Sequence, residues 1–377
     1  MVRTQNYPVL PTKEQGLTLD SWRISCRQLY NGALEERRNA WKKQHRSVSY
    51  EDQTISLTEL RKSSPEWAAI PAEILRSALH RIQTSFQGFF RRHKRGEKPG
   101  YPRYKSREHY NSFSFAGNLT EVQGNKVWVP KLGWVKLNLY RPIPPGAKIL
   151  VVRFKLTAKG WKVGLVLDLG EAPKKLPIKT EIGIDVGLTH FATLSNGEHV
   201  KNPRYYRESE ERLARQQKEL SAKKRGSNSR RIAKRQIAKT HLKIHNQRLD
   251  YARKQAKELV KNYDLVCFED LNIKGMVQSK LAKSINDAAW GMLLNCIMFK
   301  AEEAGRYAIG VNPRGTSIRC SRCQEEVKKT LADREHNCPH CGLRIDRDVN
   351  AALNILALGR SVVSKGAFYE APRTPKA

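Results

Sequence analysis

Two cysteine pairs and a handful of widely separated acids are the residues whose types and spacing suit chemistry. Cys320-x-x-Cys323 and Cys338-x-x-Cys341 are fourteen residues apart. Each pair can hold one edge of a tetrahedron, so four thiolates close a structural Zn²⁺ site. Two disulfides are the alternative reading of the same spacing. With four sulfurs no coordination position stays open, so such a zinc folds a small ribbon and does no chemistry itself. His336 and His340 stand by as spare ligands. Arg319, Arg322, Lys328, Lys329, Arg334 and Arg344 surround the cysteines and offset thiolate charge.

The acids are Asp185, Glu269, Asp346 and Asp348. Asp185 lies in I-G-I-D-V-G, among apolar neighbours, where a carboxylate is costly to bury unless a cation meets it. The same opening also begins actin-like ATPases, and a surface hairpin with a solvated Asp is the plain alternative. Glu269, followed by Asp270, stands at the exit of the apolar run Tyr263–Phe268. Asp346 and Asp348 open a helix, where backbone amides favour anions. Read singly, these are strand-end and cap residues. Together, they are what a two-metal phosphodiesterase needs. One Mg²⁺ activates the attacking water and the other stabilises the leaving oxygen, with carboxylates holding the ions about 4 Å apart.

The elements that must position these groups follow from hydrophobic period. Ile182, Ile184 and Val186 alternate as a strand; Gly187 permits a bend; Phe191–Leu194 returns as a second strand ending in the turn signal Asn196-Gly197. Glu198–Lys201 adds a third strand. Tyr205–Asn262 predicts a long helical tract broken near Gly226–Ser229, with Lys and Arg exceeding acids by about three to one. Tyr263–Phe268 reads as a strand covered on both faces. Ser284-x-x-Asp287 reads as a capping box opening a helix with Leu293, Leu294, Ile297, Met298 and Ala301 inside. Tyr307–Val311 is a further strand. Hairpin with acid, strand, helices, strand with acid, helix, strand, helix with acid is the order of the ribonuclease-H-like fold.

Upstream, Met1–Leu10 predicts a strand, and Thr12 with Gln15 a capped helix start. Ser21–Gln44 predicts a helix with Trp22, Cys26, Leu29, Tyr30, Ala33, Leu34 and Trp41 inside and Arg23, Arg27, Arg37, Arg38, Lys42 and Lys43 on a charged face. A second helix runs from about Pro71 to His93 and ends in Arg91-Arg92-His93-Lys94-Arg95. Lys98–Lys105 mixes Pro, Gly, rings and cations in a way that can stack on bases and meet phosphates. Lys126–Pro130, Gly133–Leu139, Ile149–Leu156 and Trp161–Leu169 alternate as strands of a small antiparallel unit that can close as a barrel. Glu171–Ile178 reads as a linker.

Charge narrows the partner. The 377 residues carry 70 Lys and Arg against 36 Asp and Glu, a net charge of +34. Self-repulsion of that size opposes compaction unless a polyanion neutralises it, and nucleic acid is the natural one. No apolar run approaches a membrane span, and residues 1–10 lack a signal-peptide core, so no membrane partner is expected. Cys26, Cys267 and Cys296 stand singly in apolar surroundings, consistent with a cytoplasmic chain.

These features resemble the TnpB family, RNA-guided nucleases of bacterial insertion sequences related to type V CRISPR effectors. The resemblance rests on Pro11–Gln15, Leu29-Tyr30-Asn31, Pro130–Val135, Gly183–Gly187, Glu269-Asp270-Leu271, Asn286–Trp290, the four cysteines and Asp348–Ala352. It implies an α+β multidomain fold: a ribonuclease-H-like (RuvC) nuclease domain with an inserted zinc ribbon, preceded by a β-barrel wedge domain that carries a helical recognition insertion. By position, residues 1–18 and 111–176 would form the wedge and 19–110 the recognition helices. The nuclease would span 177–313 and 345–377, with the ribbon at 314–344. The resemblance also implies Asp185, Glu269 and Asp348 as the magnesium-binding catalytic acids, with Asp346 as a further candidate and Mn²⁺ as a possible substitute. It implies one zinc on Cys320, Cys323, Cys338 and Cys341. A guide RNA from the element's own end, target double-stranded DNA cut beside a short adjacent motif, and a monomeric protein associated with the nucleoid when bound complete the expectation. Gln324 departs from the Gly that often follows the first cysteine pair, which affects only the turn. Two other readings use the same features: a guide-RNA or DNA-binding regulator that does not cut, and a transposase that joins strands.

Overall fold

The structure is a computed structural model that describes residues 1–276, 278, 282–330 and 333–366. It divides into two compact units at Glu171/Ala172, within the Pro- and Lys-rich segment that the sequence marks as a linker.

The first unit packs helices on an antiparallel sheet. β1 (Val2–Leu10) leads into α1 (Lys13–Gln44), α2 (Tyr50–Ser63), the single turn α3 (Pro65–Ala68) and α4 (Ala72–Lys94). Six strands follow: β2 (Ser112–Ala116), β3 (Val122–Gln123), β4 (Lys126–Val129), β5 (Gly133–Leu137), β6 (Lys148–Thr157) and β7 (Gly160–Asp168). The strand order is β2-β6-β7-β1-β5-β4-β3. β1 is central, pairing β7 on one side and β5 on the other. Leu19, Trp22, Cys26 and Tyr30 of α1 meet Ile74, Ala78 and Ile82 of α4 over Phe113, Phe154, Val163 and Leu165. Thr12 and Gln15 cap α1 reciprocally at 3.1–3.2 Å, as the sequence predicts. The helix begins earlier than its apolar period suggests, and α2, with its own Ser49/Asp52 box, has no counterpart in that reading. Two cations expected on α1's solvent face turn inward. Arg23 is buried, donating to Asp20 and to the carbonyls of Arg107 and Tyr110. Arg37 donates to Gln53 and Gln83. Trp41, expected inside, is instead exposed.

The second unit is built on a five-stranded sheet of order β10-β9-β8-β11-β12. β8 (Glu181–Asp185), β9 (His190–Leu194) and β10 (His199–Lys201) form an antiparallel meander. α5 (Tyr205–Ser221) and α6 (Asn228–Asn262) come next, the latter capped by Ser227 at the expected break. β11 (Leu265–Glu269) then pairs parallel to β8. After α7 (Ile273–Met276), α8 (Ala282–Ala288) and α9 (Trp290–Glu303), β12 (Tyr307–Val311) pairs parallel to β11. The short ribbon β13 (Glu335–Asn337) and β14 (Arg344–Asp346) precedes α10 (Arg347–Ser364). The tail after residue 366 lies outside the described residues.

β11 is buried at every position, and strand alternation divides it between two layers. Val266 and Phe268 face α6 and α9. Leu265 and Cys267 face α10 with Ile355 and Leu356. Two glycines set how closely α10 lies. A Cβ at Gly183 would come 2.0 Å from the Ala352 carbonyl oxygen, and one at Gly359 would come 2.1 Å from Cys267 Sγ.

The Ser284–Asp287 capping box does not form. Both residues lie inside α8, and α9 starts behind Ala289 in a left-handed conformation with φ 56°. Asp287 serves another helix. Its carboxylate accepts the amides of Tyr206 and Arg207 at 2.8 and 3.3 Å, closing the N-terminus of α5, and pairs with Arg248 at 2.7 Å. A buried carboxylate takes the donors that three-dimensional packing supplies, whichever residues are near in sequence.

Candidate metal centres

Asp185 is the last residue of β8, and Glu269 the last of β11. Phe268 pairs with Ile184 in the parallel register, so the two acids come next on neighbouring strands, about 4.8 Å apart at the backbone. The third element is α10, seated on this sheet by the glycine contacts at Gly183 and Gly359. Asp348 lies one turn before Ala352, in the first turn of α10, where backbone amides lack partners within the helix.

The electrostatics register this convergence. Burial pushes the Asp185 carboxyl well above the usual carboxylate range; the charges of Glu269, Asp348 and, more weakly, Asp346 push it further, while Arg347 opposes them. Glu269 is buried and is also raised, with a hydrogen bond from Thr316 acting the other way. Asp346 is otherwise engaged: its Oδ1 accepts the amides of Asp348 and Val349 at 2.8 and 3.0 Å, capping α10. Glu269 and Asp348 thus lie near enough for their charges to act on buried Asp185, a strain that a divalent cation would relieve.

The four cysteines form the second centre. All four sulfurs lie within 4.8 Å of one another. Cys320 and Cys341 are 3.5 Å apart and Cys323 and Cys338 3.6 Å. Disulfide sulfurs would sit about 2 Å apart, whereas a tetrahedron with Zn–S near 2.3 Å has edges of about 3.8 Å. The two cysteine turns match each other. Gln324 donates its amide to Cys320 O at 2.9 Å, and Gly342 to Cys338 O at 3.0 Å. Both are left-handed, at φ 66° and 70°. Gln324 therefore occupies a conformation that suits glycine, with its side-chain amide 3.3 Å from Cys320 O. Among the described residues, only this group of His, Cys, Asp and Glu side chains gathers so tightly.

Four residues around these centres are given no role in the sequence reading. Trp290 donates its indole N–H to Gly187 O at 3.1 Å, fixing the bend after Asp185. Thr316 donates its hydroxyl to Glu269. Asn350 and Asn354, both buried, hydrogen-bond the chain around Cys320. The visible signal was an amide side chain every fourth residue on the apolar face of a helix, where polar groups need partners.

Residues 165–280 match a family described as “Probable transposase”, and residues 290–355 one described as “Cas12f1-like, TNB domain”. Residues 1–46 match a “Helix-turn-helix domain”, although here they form β1 and the single helix α1. A Streptomyces pristinaespiralis protein named “Putative RNA-guided DNA endonuclease” is 34% identical over 380 residues, covering 97% of this chain and 91% of that one. The Escherichia coli (strain K12) protein InsQ, named likewise, is 25% identical over 390 residues, covering 98% and 95%. In the solved Cas12f1–sgRNA–target DNA complex, the protein fold superposes with a TM-score of 0.59 at 17% identity, over 91% of this chain and 83% of that one. The fold is thus a Cas12-like multidomain one, and the chain belongs to the TnpB family.

Proposed function

We propose that this protein is an RNA-guided DNA endonuclease that cuts target DNA beside a short adjacent motif by two-metal-ion phosphodiester hydrolysis. The observation that carries the reading is the convergence of Glu269 and Asp348 on Asp185 at the ends of the neighbouring inner strands β8 and β11. A three-strand meander continued by two parallel strands, with a last helix on the opposite face, supports a ribonuclease-H-like (RuvC) nuclease domain. In this reading the nuclease spans residues 177–313 and 345–377, of which 367–377 lie outside the described residues, and the ribbon spans 314–344. Residues 1–18 and 111–176 form the wedge, and 19–110 form the recognition helices.

Asp185, Glu269 and Asp348 hold the metal. When bound, a pair of Mg²⁺ ions activates water for attack and stabilises the leaving oxygen. Asp346 holds the end of α10 so that Asp348 stays in place, and Trp290 does the same for the bend after Asp185. Cys320, Cys323, Cys338 and Cys341 hold a structural zinc.

The net charge of +34 supports guide RNA and duplex DNA as the partners. In the first unit, Phe90, Tyr101 and Tyr104 are 55%, 46% and 47% exposed. Phe89 joins Phe90 to Tyr101, with ring centroids 5.2 and 5.5 Å apart. Rings left in water beside Arg91, Lys94, Lys98 and Arg103 suit stacked bases and their phosphates. No helix among the described residues is long and apolar enough to cross a membrane.

The test is to purify the protein with its RNA, sequence that RNA, and incubate the complex with matched duplex and Mg²⁺. Cutting is expected. Tight binding without cutting would overturn the reading in favour of a regulator, and joined strands in favour of a transposase.

A further inference from the structure

The acid cluster and the cysteine knuckle share one short segment of chain. Residues 312–319 leave β12 and run into Cys320. Midway, Thr316 is 2% exposed, with its Oγ1 2.5 Å from Glu269 Oε1 and 2.9 Å from Pro313 O. A hydroxyl has one proton to give, and the carboxylate is the nearer and stronger acceptor.

The carbonyl of the same residue faces the other way. Asn354 Nδ2 donates to Thr316 O at 2.9 Å and to Arg319 O at 2.8 Å. One turn earlier, Asn350 Nδ2 donates to Arg319 O at 2.8 Å, while its Oδ1 accepts the Ser321 amide at 2.9 Å. Arg319 and Ser321 flank Cys320. α10, which carries Asp348, is therefore tied at two points to the backbone of the cysteine turn, and through Thr316 to Glu269. Satisfied buried polar networks of this kind are rigid, because breaking one bond strands a group away from water.

We propose that Thr316 and Asn354 are positioning residues that couple the cysteine knuckle to the acid cluster, so that the metal-held ribbon sets where Glu269 and Asp348 stand. This rests on the reading of those acids as the nuclease metal site. A ribbon merely docked through Asn354 would leave the acids' affinity for metal unchanged. A positioning role makes that affinity depend on side chains that never touch the ion.

The test uses the full protein with its RNA and the variants Thr316→Val, Thr316→Ser and Asn354→Ala. Terbium binding is followed by tryptophan-sensitised luminescence, Trp290 being hydrogen-bonded beside the cluster, with the signal from Asp185→Ala subtracted. Cleavage is followed against Mg²⁺ concentration. Thr316→Val and Asn354→Ala are each expected to weaken terbium binding and raise half-saturating Mg²⁺ by about tenfold. Thr316→Ser should restore most of the loss, and zinc by elemental analysis should stay at the parent's level. Titrations that superimpose on the parent's would overturn the proposal, as would loss of zinc from Asn354→Ala. Should Thr316→Val fail to fold, Asn354→Ala decides, since it keeps the hydroxyl. A parent that neither binds terbium at this site nor cuts would sink the nuclease reading itself.

Discussion

The Thr316 hydroxyl approaches Glu269 Oε1 to 2.5 Å in a site that water scarcely reaches. A strand-end acid would ordinarily be solvated; this one is enclosed and steered. Replacing it with the isosteric amide keeps an oxygen for Thr316 and removes the charge. Glu269→Gln is therefore expected to lower the single-turnover cleavage rate by roughly three orders of magnitude, since metal-borne charge stabilisation is worth several kcal/mol. Binding of matched duplex should be unchanged, as a gel-shift titration would check.

Asp185 gives a prediction of opposite sign for stability and activity. Its folded pKa is raised above the unfolded value, by burial first and by neighbouring carboxylates second. The folded state then keeps a proton that the unfolded state has lost, so metal-free stability falls as pH rises from the unfolded pKa through the folded one. Asp185→Asn should raise the metal-free melting temperature at neutral pH while abolishing cleavage and the stabilisation given by Mg²⁺. Calorimetry with and without Mg²⁺ is the measurement; a melting temperature below the parent's in EDTA would contradict it.

Removing one knuckle sulfur should open the ribbon. Cys338→Ser leaves three ligands for a site that four sulfurs frame, and structural zinc supplies folding free energy directly. Elemental analysis should show zinc lost, and limited proteolysis should cut within residues 314–344. Unchanged metal content would argue that the cluster does not hold zinc.

Gln324 tests backbone strain. A left-handed L-residue costs about 1–2 kcal/mol, partly offset here by its side-chain hydrogen bonds to the Cys320 and Ser321 carbonyls. Gln324→Gly should leave zinc content unchanged and stabilise the ribbon by up to about 1 kcal/mol, read as slower zinc loss to a chelator.

The exposed rings of the first unit should matter for single strands. Base stacking on an aromatic side chain is worth about 1–3 kcal/mol by alanine substitution. Phe90→Ala with Tyr101→Ala is expected to weaken guide-RNA binding at least tenfold, with little change in melting temperature because both rings are half exposed. Equal RNA affinity in a filter-binding titration would remove this patch from the interface.

What was legible in the sequence was what neighbours in the chain decide. Thr12 and Gln15 cap α1 because both partners sit within one turn. β11 reads as a doubly covered strand because its five residues suffice to show it. The Ser284–Asp287 pattern has the same local form, yet Asp287 is claimed by Tyr206, Arg207 and Arg248, which lie far upstream. Arg23 looked like a surface cation until Arg107 and Tyr110 offered it carbonyls. The partners of Thr316 and Asn354 could not be read for the same reason. They lie 47 and 38 residues away, and no spacing rule reaches that far.

The close seat of α10 at Gly183 and Gly359 has a consequence for how this chain tolerates insertions. With no methyl group to yield at either contact, the helix cannot slide to absorb a change in its own length. One extra residue between Asp348 and Ala352 would swing that acid about 100° around the helix axis, out of reach of its companions. A loop of any length is easier to accommodate than a single codon there.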